Sequence, residues 1–196
     1  MKVSREQAAE NRARILTVAG KLFREKGFDG VGVSDIMKAA GLTHGGLYGH
    51  FASKDDLAAE ACAHTLTRKA AIWPRLPASM PRGPLAAIAE SYLTTAHRDN
   101  PGKGCVFASL GGDAARQPAP VRHAVAEGLR AYIDKLTNFM PGRAKTARRE
   151  RALAAMAGFV GALILSRAVD DPAFSEEILK AAAKTIGRTA RAARGN

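Results

Sequence analysis

Apolar residues recur every three to four positions along most of this chain, which predicts one helix after another. Ile15, Leu16, Ala19, Leu22 and Phe23 form a stripe on a first helix from about Arg5 to Lys26, and Gly27 stops it. Ile36, Ala40, Leu42, Leu47 and Phe51 then tie together two short helices joined by a three-residue turn. Ser34 is placed to cap the first of these, with Asp35 near its positive end, and Thr43 to cap the second. Gly41 stands where the chain must bend through left-handed backbone geometry. Ser53 with Asp56 makes a capping box for a longer helix from Lys54 to about Ile72.

Residues 73–84 hold four prolines in twelve positions, which no helix accommodates. Beyond them the pattern predicts a helix from Leu85 to Arg98 and a short one from near Cys105 to before Pro118. Another runs from Val121 to Met140, with Val121, Val125, Leu129, Tyr132, Ile133, Leu136 and Met140 on one face. The segment Ala144 to Val169 is apolar nearly all round between Leu153 and Leu165, so it cannot face water there on any side. Ser175-Glu-Glu is placed to cap a last helix offering Ile178, Leu179, Ala182 and Ile186. The expected fold class is all-α, about nine helices.

A helix, a tight Gly turn and a helix at this spacing form a helix-turn-helix, whose second helix enters the DNA major groove. Ala39-Ala-Gly-Leu-Thr-His-Gly-Gly-Leu-Tyr-Gly-His-Phe-Ala-Ser-Lys-Asp-Asp-Leu57 resembles the TetR family of transcriptional regulators. The shared pattern is small-small-Gly-apolar-Ser/Thr, then Leu-Tyr-x-His-Phe, then Ser-Lys. The resemblance covers roughly the first 60 residues. It implies a three-helix DNA-binding domain, residues 1–53, and a helical domain, residues 54–196, that binds an effector and dimerises. Gly104-Cys-Val-Phe-Ala-Ser-Leu110 and Ala162 to Pro172 look like effector-domain segments of one family branch, with a Gly-Cys motif.

The expected partner is double-stranded operator DNA. Ser34, Thr43, Tyr48 and Lys54 are candidates for phosphate contact, and His44 and His50 for base edges or phosphates. For Ser34 and Thr43 pure capping is the other reading, and for His50 a packing role. Gly46 and Gly49 stand where the family commonly has larger residues. With Gly45 they leave few side chains to read bases, so backbone contacts and DNA shape should weigh more. Lys2, Arg5, Arg12 and Arg14 lie near the N-terminus, free to reach backbone or minor groove.

The last two helices are expected to form a homodimer interface through Met156, Phe159, Val160, Leu163, Ile178, Leu179 and Ile186, with Gly158 and Gly161 allowing close approach. A monomeric core is the alternative. Two readings of the effector stand side by side. Trp73, Tyr92, Phe107, Tyr132 and Phe159 can line a pocket for an unidentified small-molecule inducer. Cys105, opening a helix beside Lys103, can serve as an oxidant- or electrophile-sensing thiol, or be a packing residue. Cys62 has no cationic neighbour in sequence nearer than Arg68 and reads as packing.

The net charge of +12 permits nucleic-acid binding but does not locate it. Residues 1–60 hold nine Lys/Arg against eight Asp/Glu, and residues 61–196 twenty-one against ten. The segment Met1-Lys-Val-Ser-Arg-Glu-Gln is not signal-like, and the 15 uncharged residues from Ala152 fall short of a membrane span, so a cytoplasmic protein without membrane partner is expected. No serine-nucleophile elbow, zinc motif or nucleotide loop is present. His97 and His123 lack a second partner at metal-ligand spacing. A regulator without catalytic residues, metal or cofactor is therefore expected, a repressor first and an activator as the alternative. An enzyme is the main rival class, and a basic module binding RNA or a membrane surface, suggested by Arg143–Arg151 and the Arg-rich tail, is the second.

Overall fold

Ser4 opens the first helix by accepting the Gln7 N–H at 3.1 Å, and Gly27, at φ 78°, closes it. The computed structural model describes residues 4–72 and 83–192. Among them, the chain forms nine α-helices and two short 3-10 turns. The helices are α1 (Arg5–Lys26), α2 (Val33–Ala39), α3 (Lys54–Ile72), α4 (Pro84–Tyr92) and α5 (Thr95–Asp99). They continue as α6 (Val106–Ala114), α7 (Ala119–Phe139), α8 (Lys145–Ala168) and α9 (Pro172–Ala192). No strand occurs among the described residues. The all-α expectation holds.

The differences from the sequence pattern have local causes. The second element of the helix-turn-helix, His44–Gly49, is a 3-10 turn rather than an α-helix. Three glycines in six residues explain that, each about 1 kcal/mol poorer than Ala in a helix interior. The expected helix 85–98 is two pieces, because Thr94 caps α5 by accepting the His97 N–H at 3.1 Å. Threonine hydroxyls favour caps over helix interiors. Ser34 does not cap α2: Gly32 holds that position, and its N–H donates to Asp35 Oδ2 at 3.2 Å. Ser175 does not cap α9 either. Asp171 Oδ1 accepts the Ala173 and Phe174 N–H groups, while the Ser175 hydroxyl donates to the Ser166 carbonyl at 2.6 Å.

Contacts divide the chain into two units, residues 1–69 with 105–128, and 70–104 with 129–196. The division differs from the expected cut at residue 53, since α3 and α6 both pack on α1. Gly20 lets α1 and α3 close up: a methyl added there would come within 2.5 Å of Thr65 Oγ1. Ile15, Ala19 and Phe23 of α1 and Leu57 and Ala61 of α3 are buried. Asp113 of α6 accepts the Phe28 N–H at 3.2 Å, just past the end of α1.

In the second unit α9 packs along both α8 and α4. Ile186 lies 3.2 Å from where a Gly158 methyl would stand, and Ala86 3.4 Å from the equivalent point at Gly187. Met156, Phe159, Leu163 and Leu179, expected at the dimer interface, are buried inside this unit. That part of the expectation is corrected: a helix apolar all round gives one face to its own core. The outward face of α8 carries Leu153, Ala157, Val160, Gly161, Ile164 and Leu165, and α9 adds Phe174 and the half-buried Ile178. Ile186 is also half-buried.

This two-faced composition gives α8 the length and apolarity of a membrane-crossing helix, with mean hydropathy 1.4 over 18 residues, 39% of them buried. The count of 15 uncharged residues understated that. Packing of one face against α9 gives the apolarity a non-membrane cause.

Candidate nucleic-acid interface

The turn between α2 and the 3-10 segment is a Schellman motif. The Leu42 N–H donates to the Met37 carbonyl at 2.9 Å and the Gly41 N–H to the Lys38 carbonyl at 3.0 Å. Gly41, at φ 70°, supplies the left-handed residue this motif needs. Leu47 and Phe51 are buried, and the Phe51 N–H donates to the Leu47 carbonyl at 2.9 Å, so the 3-10 segment is fixed from beneath. Its other side faces solvent: Thr43, His44, Gly45, Tyr48 and Gly49 are exposed, Tyr48 by 65%. Ser34, in the first turn of α2, is exposed as well.

Thr43 precedes the 3-10 segment, but its hydroxyl makes no capping hydrogen bond there. Capping therefore does not account for that side chain. His50 is half-buried, its ring centroid 6.4 Å from that of Phe51, and Gly46 faces inward, with Met37 Cε 3.4 Å from a would-be methyl. Lys54 is half-buried at the start of α3, where Ser53 accepts the Asp56 N–H at 3.0 Å as expected. Arg12 and Arg14 are not free. Arg12 pairs with Glu60 and lies 4.7 Å over the Phe51 ring, while Arg14 donates to the Ala40 carbonyl and to Asn11. Both brace the motif. Lys2 lies outside the described residues.

Residues 15–61 match the profile described as bacterial regulatory proteins, tetR family. The HTH-type transcriptional regulator AcrR of Shigella flexneri is 33% identical over 90 residues, 46% of this chain and 42% of that protein. An HTH-type transcriptional regulator of Staphylococcus aureus is 45% identical over 53 residues, 27% of this chain and 29% of its own. The chain thus matches less than half the length of these curated relatives. The fold likeness extends further. A TetR-family transcriptional regulator from Streptomyces coelicolor superposes with TM-score 0.69 at 25% identity, covering 93% of this chain and 96% of that one. Residues 15–61 thus carry the tetR-family DNA-binding pattern, and the described fold is that of a TetR-family regulator. The reduced form of Escherichia coli NemR has the same fold, with TM-score 0.75 at 20% identity over 90% of this chain and 95% of that one.

The expected effector residues fall in both units. Tyr92, Tyr132 and Phe159 are buried in the second, where the Tyr92 and Phe159 rings stand 5.3 Å apart. His97 joins them, which the sequence pattern missed because the break at Thr94 had to be known first. Its ring meets Tyr92 edge-on at 4.5 Å, and its Nδ1–H donates to the Tyr92 carbonyl at 2.7 Å. Cys105 and Phe107 are buried in the first unit, with Cys105 as the N-cap of α6. Trp73 lies outside the described residues.

Arg24 is the residue sequence reading overlooked. It is buried on α1, donates to Thr65 Oγ1 at 3.2 Å, and its guanidinium feels both Cys62 and Cys105. Burial holds its pKa below the ordinary value, and negative charge on either thiol would raise it. Cys62 therefore has a cationic neighbour in space, though none close in sequence. Even so, burial outweighs Arg24 and pushes the Cys62 thiol up to about 12. At pH 8 iodoacetamide should leave Cys62 untouched in the folded protein and alkylate it in urea, read by peptide mass. Because the folded pKa is raised, the linked stability is complete below the unfolded value near 9 and is lost as pH climbs towards 12.

Proposed function

We propose that this chain is a sequence-specific DNA-binding transcriptional regulator that works as a homodimer, a repressor released when its effector unit changes shape. The observation that carries this is the solvent face of residues 43–49, held by a Schellman turn and by buried Leu47 and Phe51. Thr43, His44, Tyr48 and Ser34 are the groups proposed to meet the duplex, with Lys54 at the margin. Dimerisation supplies the second half-site, about 34–36 Å away on one face of the DNA. The proposed dimer seam is the outward stripe of α8, Leu153 through Leu165, together with Phe174 and Ile178 of α9. Such a protein works in the cytoplasm, where the chromosome is.

The inducer is proposed to be a small molecule bound among the helices of the second unit near Tyr92, Tyr132 and Phe159. Control through Cys105 is the second reading, favoured by its place as the α6 N-cap beside the Arg24 guanidinium. Cys105→Ser separates the two, because oxidant-induced release from DNA disappears only under the thiol reading.

The deciding experiment is selection of bound fragments from sheared genomic DNA of the source organism, followed by footprinting. The expected result is a small set of inverted-repeat sites whose affinity falls steeply with salt. Equal recovery of all fragments, or a preference for single strands or RNA, would reject the reading.

A further inference from the structure

Asp113 is placed against the dipoles of two helices. It lies in the last turn of α6 and beside the C-terminal end of α1, and a carboxylate is disfavoured at both places. Its two oxygens are nonetheless committed. Oδ2 accepts the Phe28 N–H at 3.2 Å, across 85 positions of sequence, and Oδ1 accepts from the Arg116 guanidinium. Gly27 leaves the space, since a methyl there would stand 2.6 Å from Oδ2. Phe28 and Val31 are buried, and Gly32 then caps α2. The link that Asp113 holds therefore runs straight into the helix-turn-helix.

The turn that carries Asp113 is weak. Gly111 and Gly112 precede it within α6, both exposed and neither at positive φ. A methyl built on either meets nothing within 4 Å. Each is about 1 kcal/mol poorer than Ala in a helix, so this last turn opens more readily than packing demands. The chain enters α6 from the second unit, Gly104 belonging to that unit and Cys105 to the first. We propose that Asp113 is a positioning residue for DNA binding. Its hold on the Phe28 N–H sets the link from α1 to α2, and the Gly111-Gly112 turn is where effector action releases that hold. The inference rests on the operator-binding reading and supplies its regulation.

The test compares Asp113→Ala, Asp113→Asn and Asp134→Ala with the unsubstituted protein on the selected operator. Removing a carboxylate from a chain of net charge +12 strengthens its attraction to DNA, so charge alone predicts tighter binding by all three. Asp113→Ala should instead lose roughly tenfold in operator affinity, an ordinary size for coupling between sites. Asp113→Asn, whose amide oxygen can still accept the Phe28 N–H, should keep the parental affinity. Asp134→Ala, which removes an exposed carboxylate paired with Arg149, should bind no more weakly than the parent. Hydrogen exchange at single amides gives a readout that general destabilisation does not move. In Asp113→Ala the Phe28 amide should exchange roughly tenfold faster, with those of Ile15 and Ala19 unchanged, and it should slow by a similar factor when Gly111 and Gly112 are both replaced by Ala. Parental affinity in Asp113→Ala would overturn the proposal, as would equal losses in the alanine and asparagine variants or exchange accelerated evenly along α1. Failure of the unsubstituted protein to prefer any duplex would instead reject the regulator reading.

Discussion

A chain carrying Ile164→Glu together with Leu165→Glu will sediment as a folded monomer and lose about a hundredfold or more in operator affinity. Both residues are substantially exposed in the protomer, Leu165 by 58%, so two carboxylates there meet water and the subunit core is undisturbed. Across a symmetric seam the same stripe faces its own copy, so four added charges would lie in one apolar interface. Burying even one unpaired charge costs several kcal/mol, more than a seam of this kind can absorb. A monomer then holds one half-site where the dimer holds two, and the effective-concentration advantage of the second contact disappears. Circular dichroism should be unchanged, sedimentation should report half the mass, and the footprint should vanish at concentrations that saturate the parent. Were the double variant still dimeric with normal binding, the seam would have to lie elsewhere. Leu163→Glu gives the contrast. That residue is fully buried within the protomer, so its substitution should unfold the second unit before any dimer is tested.

The same helix shows where sequence reading ends. Amphipathic elements were legible almost to the residue: α1 runs from Arg5 to Lys26, as its stripe and Gly27 required, and α3 begins at Lys54 behind the Ser53 cap. Gly41 was legible because few residues accept a positive φ. In α8, however, apolar residues surround the axis, and nothing in the pattern separates the face packed on α9 from the face left open. Met156, Phe159 and Leu163 were therefore assigned to a partner when they belong to the protomer's own core. The 3-10 form of His44–Gly49 was illegible for a different reason. Helical spacing of Leu47 and Phe51 is satisfied by either winding, and only the summed cost of three glycines decides between them. Arg24 illustrates a third limit. The electrostatic influence of Cys62 and Cys105 on it joins three distant segments, which no local spacing encodes.

Glycine at position 30 should prove far less replaceable than its exposure suggests. A methyl added there would stand 2.1 Å from the carbonyl oxygen of Lys26 and 3.1 Å from its carbon. Those atoms are main chain in the last turn of α1, so no side-chain rotation relieves the overlap. Either the end of α1 unwinds or the link to α2 is displaced, and both disturb the helix-turn-helix from behind. We expect Gly30→Ala to lower unfolding stability by about 2–3 kcal/mol, the range of forced backbone strain, although surface substitutions usually stay within about 0.5 kcal/mol. Urea unfolding followed by circular dichroism measures it. An unshifted midpoint would mean that the loop relaxes freely, and the close approach would carry no structural weight. The sign is the informative part: Gly30→Ala and Gly45→Ala make the same chemical change at exposed positions only fifteen residues apart. The first adds a methyl against a fixed carbonyl and must destabilise; the second adds one into open solvent within a helical turn and must not. Measured together, they separate a glycine whose close packing the fold requires from one that has room for a side chain.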